Sequence, residues 1–321
     1  MDGFHNILYV ERHLRGGVRG FVCALELARA QGANLTVAGC IRSSGRVEAR
    51  TEAGATQRRE AAIGRWRRRL QDLADRAAPT GVMFRPMILE GNPGTALLEE
   101  AARGDHDLLV KVADRAPVFP WLFDDPDRRL VRECAIPTLI LDPAQAGELK
   151  VILVAIDAGR PDSTELNMHI LATGAAIARP ADGSLNVVHA WSLVGDSLFA
   201  RDWLGRHRYR DRVATKTAEL RRQIEQLLER AAPGLTVPIE LPHGRALDSV
   251  VDVACRSQAD VVVVGISDRR RLDRLMMNSL AERILRRVPG SVLVTPTRQR
   301  TRTAPRRRAA RSSTHGAREA G

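Results

Sequence analysis

Four residues between Asp260 and Pro296 have the types and spacing to hold an anion. Gly265 closes an apolar run, Asp268 follows after two residues, and Asn278-Ser279 comes nine residues further on, where a helical segment begins. Glycine lets a backbone come close to a phosphate, and N–H groups at a helix start face its negative charge. Ser279 could donate to a phosphate; a serine at a helix start also serves simply as a cap. Asn278 tolerates a left-handed backbone better than most residues. Asp268 works the other way, because a carboxylate repels phosphate unless a cation intervenes. Arg269, Arg270, Arg271 and Arg274 give this loop cationic reach, or form an ordinary solvated face.

Other constellations are weaker. Gly16, Gly17 and Gly20 follow the first apolar run but do not form GxGxxG, and a helix entry accounts for them equally well. Asp124, Asp125 and Asp127 surround Pro126 in the manner of a helix cap, without ligand spacing for calcium. Cys23, Cys40, Cys134 and Cys255 include no CxxC pair, and no histidines stand as HExxH or HxH, so neither a disulfide framework nor a metal site is expected. Trp66, Trp121, Trp191 and Trp203 are too sparse for a stacking platform and are read as packing residues. No GxSxG, Walker loop, HxGH or SGGxD is present, and no residue pair reads as a general acid and base, so the chain is not expected to be an enzyme.

The elements that carry these residues occur twice. Strands are expected at 6–10, 35–41, 82–89, 107–112 and 138–141, with helices at 21–31, 58–78, 94–103 and 126–134 between them. After a linker at 144–149 the order repeats: strands at 150–156, 185–189, 236–241, 261–264 and 291–294, helices at 162–178, 206–231, 246–257 and 278–288. Asp162 or Ser163 is expected to cap the helix that follows the sixth strand. GDHDLLVKV matches QADVVVVGI, and counting on without gaps carries Asp107 onto Asp260 and Pro143 onto Pro296. Each half is therefore expected to be an α/β unit, an open five-stranded, mostly parallel sheet with helices on both faces. The expected divisions are 1–143, 144–149, 150–297 and an Arg-rich tail at 298–321.

Three blocks carry a resemblance to a known family: GNPGTALLEEAARGDHDLLVKV (91–112), DDPDRRLVRECAIPTLIL (124–141) and NSLAERILRRVPGSVLV (278–294). Together they resemble the tandem universal stress proteins, most of all the universal stress protein E type, over residues 4–297. The resemblance implies an adenine nucleotide alpha hydrolase-like fold, with strand order 3-2-1-4-5 in each half and the halves packed as a pseudo-dimer. It also implies roles at an ATP site in the second half: Asp157 near the adenosine moiety, the backbone of Ala190 against adenine, and Gly265, Asp268, Asn278 and Ser279 at the phosphates. Asp268 and Asn278 stand where nucleotide-binding members have glycine. Asp157 is otherwise an ordinary turn carboxylate, with Glu11 as its counterpart in the first half. The first-half phosphate positions are Val112, Arg115, Asp125 and Pro126, with every glycine gone, so no nucleotide is expected there.

The formal net charge of +12 is concentrated: residues 297–321 hold eight Arg against one Glu, or +7. Such a tail could reach nucleic acid or an anionic surface through salt-sensitive contacts, or be an unselected extension. No apolar run approaches the ~18 residues of a membrane span. With no secretory pattern at the start, a cytoplasmic stress-response protein is expected, acting by binding a small-molecule ligand or a protein partner. ATP is the cofactor the resemblance allows. The alternatives are a nucleotide-independent module for a lipid-like ligand or partner, and a weak ATPase.

Overall fold

Short runs of Val, Ile and Leu, buried on both sides, are what a parallel sheet covered on both faces requires. Val261–Val264 shows this directly: Val261 and Val263 enter one core, Val262 and Val264 the other. The computed structural model of the chain describes residues 3–12, 14, 18–41, 52–114, 126–144, 148–192, 206–266 and 280–297. In the first repeat the strands are β1 (Asn6–Glu11), β2 (Asn34–Ile41), β3 (Phe84–Glu90), β4 (Leu108–Val112) and β5 (Thr138–Leu141). In the second they are β6 (Val151–Ala155), β7 (Ser184–Val188), β8 (Ile239–Glu240), β9 (Val261–Ile266) and β10 (Ser291–Pro296). They form one ten-stranded sheet, β3-β2-β1-β4-β5-β10-β9-β6-β7-β8. Each half has the order 3-2-1-4-5, as expected.

The described helices are α1 (Arg19–Gln31), α2 (Glu52–Ala77), α3 (Pro93–Arg103), α4 (Pro126–Glu133), α5 (Thr164–Ala178), α6 (Arg206–Ala231), α7 (Ala246–Arg256) and α8 (Leu280–Arg287). Helices α1, α2, α5 and α6 share one core, continuous from Phe4 to Leu293. On the other face, α3 and Leu130 of α4 pack over the first repeat, and α7, α8 and Val131 over the second.

The halves join through β5 and β10, which pair antiparallel: Ile140 opposite Val292 and Leu139 opposite Leu293. The offset that carries Asp107 onto Asp260 puts Leu139 on Val292 and Ile140 on Leu293. Each position therefore meets its neighbour's equivalent, the signature of an isologous two-fold contact within one chain. The side chains above it are not symmetric. Glu282 on α8, 3% exposed, accepts from Arg128 of α4 at 2.6 and 3.0 Å and lies 3.7 Å from Arg132.

Two local expectations are corrected. β8 is two residues long rather than spanning 236–241, because Pro238 and Pro242, either side of it, lack the N–H a ladder needs. Their carbonyls still accept from Val187 and Trp191 at 2.9 and 3.1 Å. Neither Asp162 nor Ser163 caps α5. A single 3-10 turn (Pro161–Ser163) precedes the helix, Ser163 makes no side-chain cap bond, Asp162 pairs with Arg160, and Thr164 donates to the Pro161 carbonyl at 2.9 Å.

Candidate functional site

Ligands of open α/β sheets settle outside the carboxyl ends of strands where the crossovers diverge. In the second repeat that point lies between β6 and β9, which pair directly. Asp157 follows β6. The buried Asn167 of α5 holds its backbone from both sides, accepting from the Asp157 N–H at 3.1 Å and donating to its carbonyl at 2.7 Å. The Asp157 side chain itself is exposed.

His189, just past β7, is 3% exposed. Its Nδ1 lies 3.1 Å from the Ile156 carbonyl and 3.3 Å from the Ala158 N–H. With the proton on Nδ1 the ring donates to Ile156 and Nε2 is an acceptor; with the proton on Nε2, Nδ1 accepts from Ala158 and Nε2 is a donor. Nε2 is buried without a hydrogen-bond partner. A Cβ built on Gly159 would lie 3.8 Å from that nitrogen and 3.9 Å from Asp157 Oδ1. Gly159 is exposed, so its absent side chain leaves an open cradle bordered by both side chains. Ala190 comes next, half-buried, and its N–H and carbonyl find no partner among the described residues. Beyond it the Trp191 indole donates to the Leu241 carbonyl at 3.1 Å and meets His243 edge-on.

Burial pushes the His189 imidazole below its ordinary value of 6.5; the Ile156 carbonyl and the Asp157 carboxylate pull it back up, and Lys216 pushes it further down. The folded chain thus refuses a proton that the unfolded chain accepts below about pH 6.5. Stability from this group is whole above that pH and falls below it, by up to about 1.4 kcal/mol per pH unit. Between about pH 7.5 and 5.5, urea unfolding should show the wild type losing more stability than His189→Leu. Equal losses would mean a solvated imidazole.

Gly265 lies in β9, and its missing side chain is taken up by α5. A Cβ there would meet Ile170 Cδ1 at 2.6 Å and Leu166 at 2.8 Å. Packing against α5 by itself therefore accounts for a glycine here. Asp157, Ala190 and Gly265 all stand at the carboxyl ends of β6, β7 and β9. Asp268, Asn278 and Ser279 lie outside the described residues, as do Arg269–Arg271, Arg274, Gly16, Gly17, Asp124, Asp125, Arg115, Trp121, Trp203 and the tail. His189 was missed by sequence reasoning; its signal is a single ionisable residue closing the apolar strand NVVHAW.

The first repeat closes the same place. Ile7 pairs with Leu108 as Ile152 pairs with Val261, and Leu108 and Val261 are equivalent. Arg12, rather than Glu11, therefore stands at the position of Asp157. The counterpart read from sequence is corrected by one residue, since only strand register decides it. Arg12 reaches over the crevice to an ion pair with Asp114. Glu11, 4% exposed, accepts from Arg69 of α2 at 3.1 Å. By the same register Gly39 replaces His189 and Cys40 replaces Ala190. The ring of Trp66 lies against Gly39 where a side chain would begin. Val112, at the position of Gly265, packs against Gly20 of α1, so the small residue has moved from strand to helix.

Lys111 completes the closure. Its ammonium donates to Asp127 at 2.6 Å, Asp114 at 2.9 Å and the Val112 carbonyl at 3.2 Å. Asp127 also accepts from the Asp114 N–H at 2.6 Å. Its carboxylate thus joins the buried Lys111 to the backbone of Asp114, while the Asp125 that precedes Pro126 lies outside the described residues. Burial pushes the Asp127 carboxyl up, and Lys111 offsets part of that shift. Among the described residues no group of three or more His, Cys, Asp or Glu could hold a metal ion, and no helix is long and apolar enough to cross a membrane.

Residues 16–142 and 148–296 each match the universal stress protein family. Among solved structures, the chain is similar to a functionally unknown protein from Pseudomonas aeruginosa PAO1 at 20% identity and TM-score 0.63, covering 92% of this chain and 93% of that one. A putative universal stress protein from Pseudomonas aeruginosa UCBPP-PA14 gives 20% identity and TM-score 0.63, with 92% and 94% covered. A universal stress protein from Archaeoglobus fulgidus DSM 4304 gives 13% and 0.61, with 90% and 96% covered. Identities this low speak for the fold alone. No curated protein matches.

Proposed function

The chain belongs to the universal stress protein family, and from that premise we propose that it is a cytoplasmic binding protein, not an enzyme, whose second repeat holds an adenine nucleotide. The supporting observation is the cradle at Gly159, bordered by the orphaned His189 Nε2 and by Asp157 Oδ1. The Asp157 carboxylate suits a hydroxyl or amino donor of a nucleoside, His189 Nε2 accepts or donates according to its tautomer, and the unpaired backbone of Ala190 offers a donor and an acceptor beside them. The first repeat serves as the structural half, its crevice filled by Trp66 and closed by Arg12. The tandem layout accords with the universal stress protein E type.

Calorimetry of the full chain with ATP, ADP and adenosine tests this reading. One site is expected. Asp157→Ala should weaken it by at least about tenfold, equivalent to about 1.4 kcal/mol. Gly159→Val, which fills the cradle, should abolish it while leaving the thermal midpoint near that of the wild type. Absence of heat at millimolar ATP, with and without magnesium, removes the proposal.

Asp268 favours a second reading, in which the crevice takes a nucleotide-independent ligand or a protein partner, because the family resemblance assigns this carboxylate to a position that nucleotide-binding members fill with glycine beside the phosphates. Native mass spectrometry of freshly purified protein weighs a retained ligand directly. A nucleotide mass supports the first reading, and any other retained mass the second.

A further inference from the structure

The first repeat carries a groove of about 390 Å³ between Leu14, two residues beyond Arg12, and one side of α2. From α2 it is lined by Arg65, Arg68, Arg69, Gln71 and Asp72. Positions three and four apart on a helix are neighbours, so these guanidiniums are crowded together at a cost in helix stability. Arg65 and Arg68 are exposed, and no acid pairs with either among the described residues. Arg69 is different. Its side chain is 10% exposed, one terminal nitrogen is held 3.1 Å from the buried Glu11, and its buried Nε has no hydrogen-bond partner.

A guanidinium fixed by a buried carboxylate, with two unpaired, exposed guanidiniums beside it, is preorganised for an oxyanion. Glu11 neutralises one of the three charges and leaves the other two facing the groove. Asp72, one turn along α2 from Arg68 and Arg69, repels a long polyanion and accepts from a hydroxyl or amine. The volume falls within the roughly 300–1,000 Å³ typical of small-molecule sites. We infer that this groove is a second ligand site, binding a small phosphorylated molecule with its phosphoryl group on Arg65, Arg68 and Arg69. It shares no residue with the second-repeat crevice and does not depend on the nucleotide reading.

The test is calorimetry on the full chain at low salt, with inorganic phosphate and glucose 6-phosphate as probes. Arg65→Gln/Arg68→Gln alters two exposed side chains, so folding should be retained, as a thermal melt would verify. Binding of either probe should weaken at least tenfold in this double variant and be unchanged in Asp157→Ala. A sugar phosphate held at least tenfold tighter than phosphate supports the organic ligand class as stated. Equal affinities reduce the site to a free-phosphate site and overturn the organic part. Failure of both probes to bind, or binding that survives the double variant, overturns the inference altogether. Arg69→Met is a poorer probe, because it strips the buried Glu11 of a partner and could unfold the repeat.

Discussion

Lys111→Met should cost the folded chain about 3–5 kcal/mol, read as a shift in the urea midpoint at neutral pH. Lys111 and Asp127 are 6% and 5% exposed and meet at 2.6 Å. Each charge is tolerable there only through the other, together with the hydrogen bonds from Lys111 to Val112 and from the Asp114 N–H to Asp127. With Lys111 removed, Asp127 keeps its burial and loses its cation. Asp114 suffers less, because Arg12 also pairs with it. The second substitution is diagnostic. Lys111→Met/Asp127→Leu should recover most of the loss, since a packed apolar pair often replaces a buried ion pair at little cost. A single-variant loss below about 1 kcal/mol would show that water reaches the pair.

Glu282→Ala should cost about 2–4 kcal/mol and loosen the join between the repeats. The estimate sits below that for Lys111 because Arg132 is 46% exposed, although Arg128 is only 15% exposed. A double-mutant cycle with Arg128→Met should give a coupling of at least about 1 kcal/mol. Additive losses would mean that the pair is incidental to the join. The repeat offset sets Glu282 on Arg129 and Ala281 on Arg128, so the two-fold mate of this contact would be Arg129 with Ala281, which cannot form an ion pair. The backbone join is symmetric and its charge pairing is not. An arrangement that stabilises one half against the other, rather than each against its own copy, suits a chain carrying both.

Much of this protein was determined by the sequence alone. Apolar runs of β-branched residues, helix stops at Gly and Pro, and a gapless internal match are local or additive properties. They specified two α/β units and a long helix at Arg206–Ala231 that the structure reproduces to the residue. They also indicated the asymmetry of the halves, since missing glycines are visible without coordinates. The residues that make the asymmetry were not visible. Glu11 or Arg12 at the strand end depends on a one-residue register, which reverses the face a side chain occupies. His189 becomes a site residue only where β7 ends beside Gly159, and Trp66 closes its crevice only because α2 lies across Gly39.

Gly265 carries the sharpest form of that division. Its spacing to Asp268, Asn278 and Ser279 reads as a phosphate loop, whereas tertiary packing sets Leu166 and Ile170 of α5 against it. Spacing along a chain records which backbone positions are small. Whether smallness serves a ligand or a neighbouring helix depends on what docks there, and docking is a sum over residues far apart in sequence. The sequence therefore determined the architecture and the weaker half. Only the tertiary structure decided that the His189 ring and the Asp157 carboxylate both come beside Gly159 in the second repeat, while ion pairs and an indole occupy the matching positions in the first.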